Sequence, residues 1–240
     1  MRHTRALPAL LFTSLFVSTC SQNPPPSQRS ETPQDMTGHS ISWTPSCPVN
    51  GQWTLALHAG AGVIRRGSLT PQQEAGYQSS LKAALETGSE MLSGGAQALD
   101  AVEATVRKLE NDPKFNAGKG AVFSAAGQNE LDASIMDGRE RNTGAVASVK
   151  TIKNPISLAR AVMEKSRHVM LISDGAEKFA VANGIETVEP QYFYTDRRWQ
   201  QLQDRLAKKQ GSIRPETKFG TVGVVVKDGC GDLAAGTSTG

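Results

Sequence analysis

The chain has 240 residues, 38% hydrophobic and 20% charged, an ordinary composition for a folded protein with material for one core of moderate size. A formal net charge of +3 is too small to point to nucleic acid, and four scattered histidines with three cysteines (Cys20, Cys47, Cys230) give no zinc cluster. Seven basic residues (Arg197, Arg198, Arg205, Lys208, Lys209, Arg214, Lys218) fall between positions 196 and 218 against Asp196, Asp204 and Glu216, which reads as a solvated linker.

The start of the chain reads as an export signal. Arg2, His3 and Arg5 precede an apolar run at 6–17, too short to span a bilayer but the length of a signal-peptide core. Val17-Ser18-Thr19-Cys20 resembles a bacterial lipoprotein cleavage site, with Thr19 where a smaller residue is usual, so Cys20 is the candidate lipidation residue. Residues 1–20 are expected to be a signal peptide, directing the protein to the periplasm with membrane attachment only through such an anchor. Residues 21–51 carry Pro24-Pro25-Pro26 and little apolar content, and are expected to form a disordered tether. An oxidising compartment permits a Cys47–Cys230 disulfide, although the spacing does not demand one.

The folded part begins near Gln52. Residues 53–58 read as a short strand running into the turn Ala59-Gly60-Ala61-Gly62. Thr70, Pro71 and Gln73 form a capping box for a helix with Tyr77, Leu81, Leu85 and Leu92 on its face, stopped by Gly94-Gly95. Leu99, Val102, Val106 and Leu109 predict a second helix ending before Pro113. Strand-like runs follow at 121–124, 131–136 and 143–149, with Asp137-Gly138 as the turn between the last two. Asn154-Pro155 opens a helix to about Lys165, 168–172 reads as a buried strand, and Asp174 to Glu177 read as a capping box for a helix closed by Asn183-Gly184. After the linker, residues 221–226 and 233–239 alternate as a β-hairpin around the turn at 227–232. This order does not alternate like a doubly wound fold; it suits helices layered outside sheets. The hairpin ends at Gly240 inside what should be a central sheet, so further sequence is expected beyond it.

Gly220-Thr221, after the linker and opening an apolar strand, is the candidate chemical feature. Cut between them, Thr221 presents a hydroxyl and an α-amine on one residue, and an amine titrating near pH ~8 can serve as its own base. Gly-Thr is common at a strand start and threonine favours strands, so spacing alone points to the plain structural reading rather than to catalysis. Gly118-Lys119-Gly120 lacks the lead and the hydroxyl residue of a phosphate loop, and residues 60–67 do not match the dinucleotide fingerprint.

Phe219-Gly220-Thr221-Val222-Gly223-Val224-Val225-Val226 with Leu233-Ala234-Ala235-Gly236-Thr237-Ser238-Thr239-Gly240 closely resembles the self-processing site of isoaspartyl peptidases and plant-type asparaginases. His58-Ala59-Gly60-Ala61-Gly62, Phe115-Asn116-Ala117-Gly118-Lys119-Gly120 and Glu130-Leu131-Asp132-Ala133-Ser134-Ile135-Met136-Asp137-Gly138 fit the same family in order. So do Gly144-Ala145-Val146-Ala147, Asn154-Pro155-Ile156 and His168-Val169-Met170. The resemblance implies an α/β fold, the αββα four-layer sandwich of N-terminal-nucleophile hydrolases, divided by autocleavage into residues 52–220 and a part starting at 221. It implies an (αβ)2 dimer and hydrolysis of asparagine or β-aspartyl dipeptides, with glycosylasparaginase as the nearest alternative within the superfamily. A non-catalytic exported lipoprotein fragment is the alternative outside it.

By the same resemblance Thr221 is the nucleophile, Thr239 a second threonine beside it and Asn116 a supporting side chain, although Asn116 also reads as a plain turn residue. Ala59 stands where the family has glycine, which implies a stiffer loop and slower processing. No catalytic cofactor is implied. A structural sodium is, held by backbone carbonyls of Leu109, Glu110, Asp112, Phe115, Ala117 and Lys119. The family's arginine–aspartate carboxylate clamp and its oxyanion donors follow the segment that ends here, so substrate choice is not legible.

Overall fold

Among the described residues six strands make one sheet in the order β1-β5-β6-β2-β3-β4, so the β5–β6 hairpin lies near its middle. The strands are β1 (Thr54–His58), β2 (Leu131–Asp137), β3 (Asn142–Val149), β4 (Met170–Ile172), β5 (Val222–Lys227) and β6 (Leu233–Thr239). Neighbours are antiparallel except β3 and β4, which run parallel because a helical crossover at 155–165 joins them. The computed structural model describes residues 44–60, 67, 69–208 and 220–240. The expected signal peptide, Cys20, most of the expected tether and linker residues 209–219 lie outside the described residues.

Helices α1 (Pro71–Ser93), α2 (Ala98–Glu110) and α3 (Pro155–Lys165) cover one face of the sheet. The predicted capping box starts α1: Thr70 Oγ1 accepts the Gln73 N–H at 3.2 Å and Gln73 Oε1 accepts the Thr70 N–H at 2.9 Å. Its inward stripe runs through Ala84, Gly88, Met91 and Leu92 rather than Leu85, which is exposed. Helix α2 has no side-chain cap of its own. Instead, its Ala98 N–H donates to Asp228 Oδ2 at 2.8 Å, and the same buried carboxylate accepts from Cys230 and Asp232 in the β5–β6 turn. A carboxylate at the positive end of a helix is favourable there.

Val222, Val224, Val226 and Ala234 point into the core with Val102, Val106 and Ile156 from the helices. The opposite face alternates with them and, among the described residues, is uncovered: Ala56, Met136, Val225, Leu233 and Ala235 line a groove of about 490 Å³. The described residues therefore supply one helical layer and one sheet of the expected αββα arrangement.

Five sequence expectations change. Residues 121–124 form no strand, only a bridge between Phe123 and Asn129, because a turn closed by Ser124 and Gln128 reverses the chain at once. The strand expected at 168–172 is three residues long and lies at the sheet edge, with Met170 49% and Ile172 59% exposed rather than buried. No capping box opens α4 (Ser173–Ala182). Glu177 Oε1 accepts the N–H groups of Lys150 and Thr151 at 2.6 and 3.0 Å instead, joining α4 to the end of β3. Residues 196–208 of the expected linker are helix α5 (Asp196–Lys208). The tether does not reach residue 51 either: Ser46 and Cys47 donate to Gly95 O, Asn50 donates to Ser93 O, and Cys47 is buried.

Cys47 is bonded to Cys230 in the β5–β6 turn across 183 residues of sequence. Closing so long a loop restricts the unfolded chain far more than the native one. Replacing both cysteines by alanine is expected to lower the unfolding free energy by about 2–5 kcal/mol, read as a shift in urea midpoint. An unchanged midpoint would mean that the bond does not restrain the fold.

Candidate active site

The hairpin register brings the two predicted threonines together. Val222 faces Ser238 and Gly223 faces Thr237, so one more step along the ladder sets Thr221 across from Thr239. Thr239 in turn faces Asp132 on β2. Val222 and Ser238 are buried toward the helices, so alternation turns Thr221 and Thr239 to the open face. The next row holds His58, whose imidazole lies over Gly223, then Thr237, whose hydroxyl shares a 2.8 Å hydrogen bond with Ser134 Oγ.

The chain leaving β1 crosses the Gly220–Thr221 junction. Gly60 has φ of +124°, and a Cβ on it would lie 2.8 Å from the Cα of Gly220. Only glycine suits both that backbone conformation and that approach. Ala59 and Gly60 of the predicted glycine-rich turn are therefore beside the junction; Ala61 and Gly62 lie outside the described residues.

Asn116 sits in the loop after α2, buried, and reaches Thr239 directly. Its Nδ2 donates to Thr239 Oγ1 at 3.4 Å, and its Oδ1 accepts the Val122 N–H at 3.0 Å. It is thus a turn residue and a partner of the threonine pair at once. The two roles coincide because its loop folds back over the end of β6, where Gly240 rests against Ala121.

The same loop contains the carbonyls expected to hold sodium. It closes tightly on itself, so the Glu110 and Phe115 oxygens abut Gly118 and Gly120, with no room for a Cβ. Asp112 donates to Leu109 O, Phe115 to Asp112 O and Gly120 to Ala117 O, each through its backbone N–H. A carbonyl has two lone pairs, so this oxygen set fits a hard cation. The Glu110 side chain turns away from solvent altogether, accepting from Ile156 N–H and Asn154 Nδ2, both at 3.0 Å. Burial pushes its carboxyl from 4.5 up to about 7 against those donors. Ser238 Oγ lies close enough to help lower it but completes no hydrogen bond of good geometry.

Sequence reasoning missed the second support of this loop. Helix α5 sends Arg197 Nη2 to Pro113 O at 2.8 Å and Lys114 O at 3.1 Å, and Arg198 Nε to Gly120 O at 2.6 Å. Phe123 packs edge to face on Tyr194 and on Trp199, which are tilted against each other, where α5 meets residues 121–129. The signal was present: Trp199, Leu202 and Leu206 repeat at helical spacing after Thr195-Asp196, a helix start masked by the run of charges. The Ser134–Thr237 pair also went unread, because only strand pairing sets those residues side by side.

A family model described as asparaginase matches residues 51–240. The chain belongs to this asparaginase family. It is 47% identical over 199 residues to the isoaspartyl peptidase of Escherichia coli (strain K12), covering 79% of this chain and 61% of that protein. It is 40% identical over 226 residues to a putative isoaspartyl peptidase/L-asparaginase of Dictyostelium discoideum, covering 80% and 65%. With the plant-type L-asparaginase of Pyrococcus abyssi it shares 41% over 196 residues, covering 78% and 62%. The chain thus spans less than two thirds of the length of these relatives, and the matched family region includes every site residue described above.

Proposed function

We propose that this chain belongs to an autoprocessing threonine amidohydrolase that releases L-aspartate from β-aspartyl dipeptides or L-asparagine. The observation that carries the reading is the register that sets Thr221 across from Thr239, with Asn116 hydrogen-bonded to Thr239 and Gly60 over the Gly220–Thr221 junction. The relatives named above are called isoaspartyl peptidases or asparaginases, which favours this substrate class over a glycosylasparagine.

In the processing step Thr221 Oγ1 attacks the Gly220 carbonyl, the peptide C–N bond breaks and an ester forms. Water then hydrolyses the ester and leaves Thr221 with a free α-amine. In turnover that amine takes the hydroxyl proton as Oγ1 attacks the substrate's side-chain carbonyl, then returns it to the departing amine or ammonia. The aspartyl ester is hydrolysed by water. Thr239 and Asn116 hold the polar environment of Oγ1 on one side, and the β1 loop bounds the other. The two pieces are proposed to remain together as an (αβ)2 dimer.

Thr221→Ala in the complete precursor is expected to remain uncut and inactive, while Thr221→Ser cuts slowly, because the hydroxyl survives without the methyl that restricts its rotamer. N-terminal sequencing of the processed protein should read Thr221 first. Any other start, or activity in Thr221→Ala, overturns the mechanism.

The loop carbonyls are proposed to hold a structural sodium, supplying only a positive charge that gathers Leu109, Glu110, Asp112, Phe115, Ala117 and Lys119. Exchanging sodium for a large organic cation is expected to lower the melting temperature of the complete protein. An unchanged melting temperature argues against the ion.

Export with a lipid at Cys20 is also proposed; the Cys47–Cys230 disulfide supports the export alone, since such bonds persist in oxidising compartments. Expressed in a Gram-negative host with labelled fatty acid, the protein should be periplasmic and labelled. Periplasmic protein without label removes the lipid alone, and a cytoplasmic product keeping Met1 overturns export.

A further inference from the structure

Two consecutive arginines of α5 grip the segment that carries Asn116 from both sides. Arg197 holds the carbonyls of Pro113 and Lys114 before it, and Arg198 holds that of Gly120 after it. Arg197 lies at the surface, but Arg198 is only 3% exposed. A guanidinium taken so far from water is costly unless its donors are used. Its Nε–H meets the Gly120 oxygen at 2.6 Å, a short charge-assisted bond, and Nη1 donates to Gln201 Oε1 at 3.1 Å. Burial above all, then the neighbouring Arg197, lowers its pKa to about 10, so it stays cationic at neutral pH.

Gly120 is where that bond acts on the site. Two residues further on, the Val122 N–H holds Asn116 Oδ1, and Asn116 Nδ2 donates to Thr239 Oγ1. Ala121, between them, backs onto Gly240, the residue after Thr239. The path from the guanidinium to the threonine hydroxyl therefore runs through one short backbone stretch and one side-chain amide. Resting on the function proposed above, we propose that Arg198 is a positioning residue, which sets the Gly120–Val122 backbone so that Asn116 is aimed at Thr239.

The test uses the complete precursor carrying Arg198→Gln, Arg198→Lys, Asn116→Ala and the Arg198→Gln/Asn116→Ala pair, each assayed after processing with a β-aspartyl dipeptide. Arg198→Gln should lower kcat by about tenfold, as small displacements of a reacting group do, with KM within about twofold. Arg198→Lys, which keeps one charged donor, should recover part of the loss. The double variant should be no slower than Asn116→Ala alone, because the arginine acts through the asparagine. Losses that multiply in the double variant, or an unchanged kcat in a folded Arg198→Gln protein with a lowered melting temperature, overturn the proposal. If Arg198→Gln does not fold, Arg198→Lys and its pair with Asn116→Ala are read by the same criteria.

A wild-type precursor without dipeptide activity would count against the proposed function, not against this geometry. The side-chain amide resonances of Asn116 then decide, since they need no turnover. They should move in the Arg198 variants, and unmoved resonances overturn the positioning role.

Discussion

The carboxylate of Asp228, fully buried, accepts backbone N–H groups from Ala98, Cys230 and Asp232, so the β5–β6 turn and the first turn of α2 share one acceptor. Everything at the site depends on that register. β5 and β6 are the second and third strands of six, and a slip of one residue would turn their side chains over. Thr221 and Thr239 would then point into the helices, and Val222 into the open face. The Cys47–Cys230 bond reinforces the same turn from the N-terminal side, where residues 46–50 lie against the α1–α2 connection. A carboxylate, a disulfide and a pair of strands thus set the height at which the threonines stand.

A second anchorage holds the partner side chain. Asn116 comes from a loop, and loops are ordinarily the less well defined part of a fold. This one is drawn tight by its own turns at Gly118 and Gly120 and gripped by α5 through backbone carbonyls. The carbonyl oxygens are the common feature: those of Pro113, Lys114 and Gly120 each accept from a guanidinium of α5.

The residues at the junction come from widely separated parts of the chain. His58 and Gly60 follow β1, Asn116 follows α2, Ser134 and Asp132 lie on β2, and the threonines close the chain. The antiparallel ladder β1-β5-β6-β2 is what makes them neighbours. Helices α2 and α3 fill the other face with Val102, Val106 and Ile156, which keeps the strands in place.

Local signals were enough for much of this. The capping box at Thr70, the periodicity of Leu99 to Leu109, the Asn154-Pro155 start and the alternation of 221–239 are written in side chains that act within a few residues, and each became the expected element. The motifs around Gly220, Thr239 and Asn116 were legible for the same reason, being short and contiguous. What the sequence could not settle were the cases where one side chain chooses between partners far apart. Glu177 could have capped its own helix but bonds to Lys150 and Thr151, and the charges of 196–208 hide a helix whose arginines find carbonyls some 80 residues earlier. Cys47 had a partner in sequence terms, but only the docking of residues 46–50 on Gly95 and Ser93 places its sulfur beside Cys230. Local pattern determined which elements form, because propensity, capping and period act over a few residues. Tertiary packing decided which polar groups meet, because a buried donor or acceptor is satisfied by whichever partner the fold brings to it.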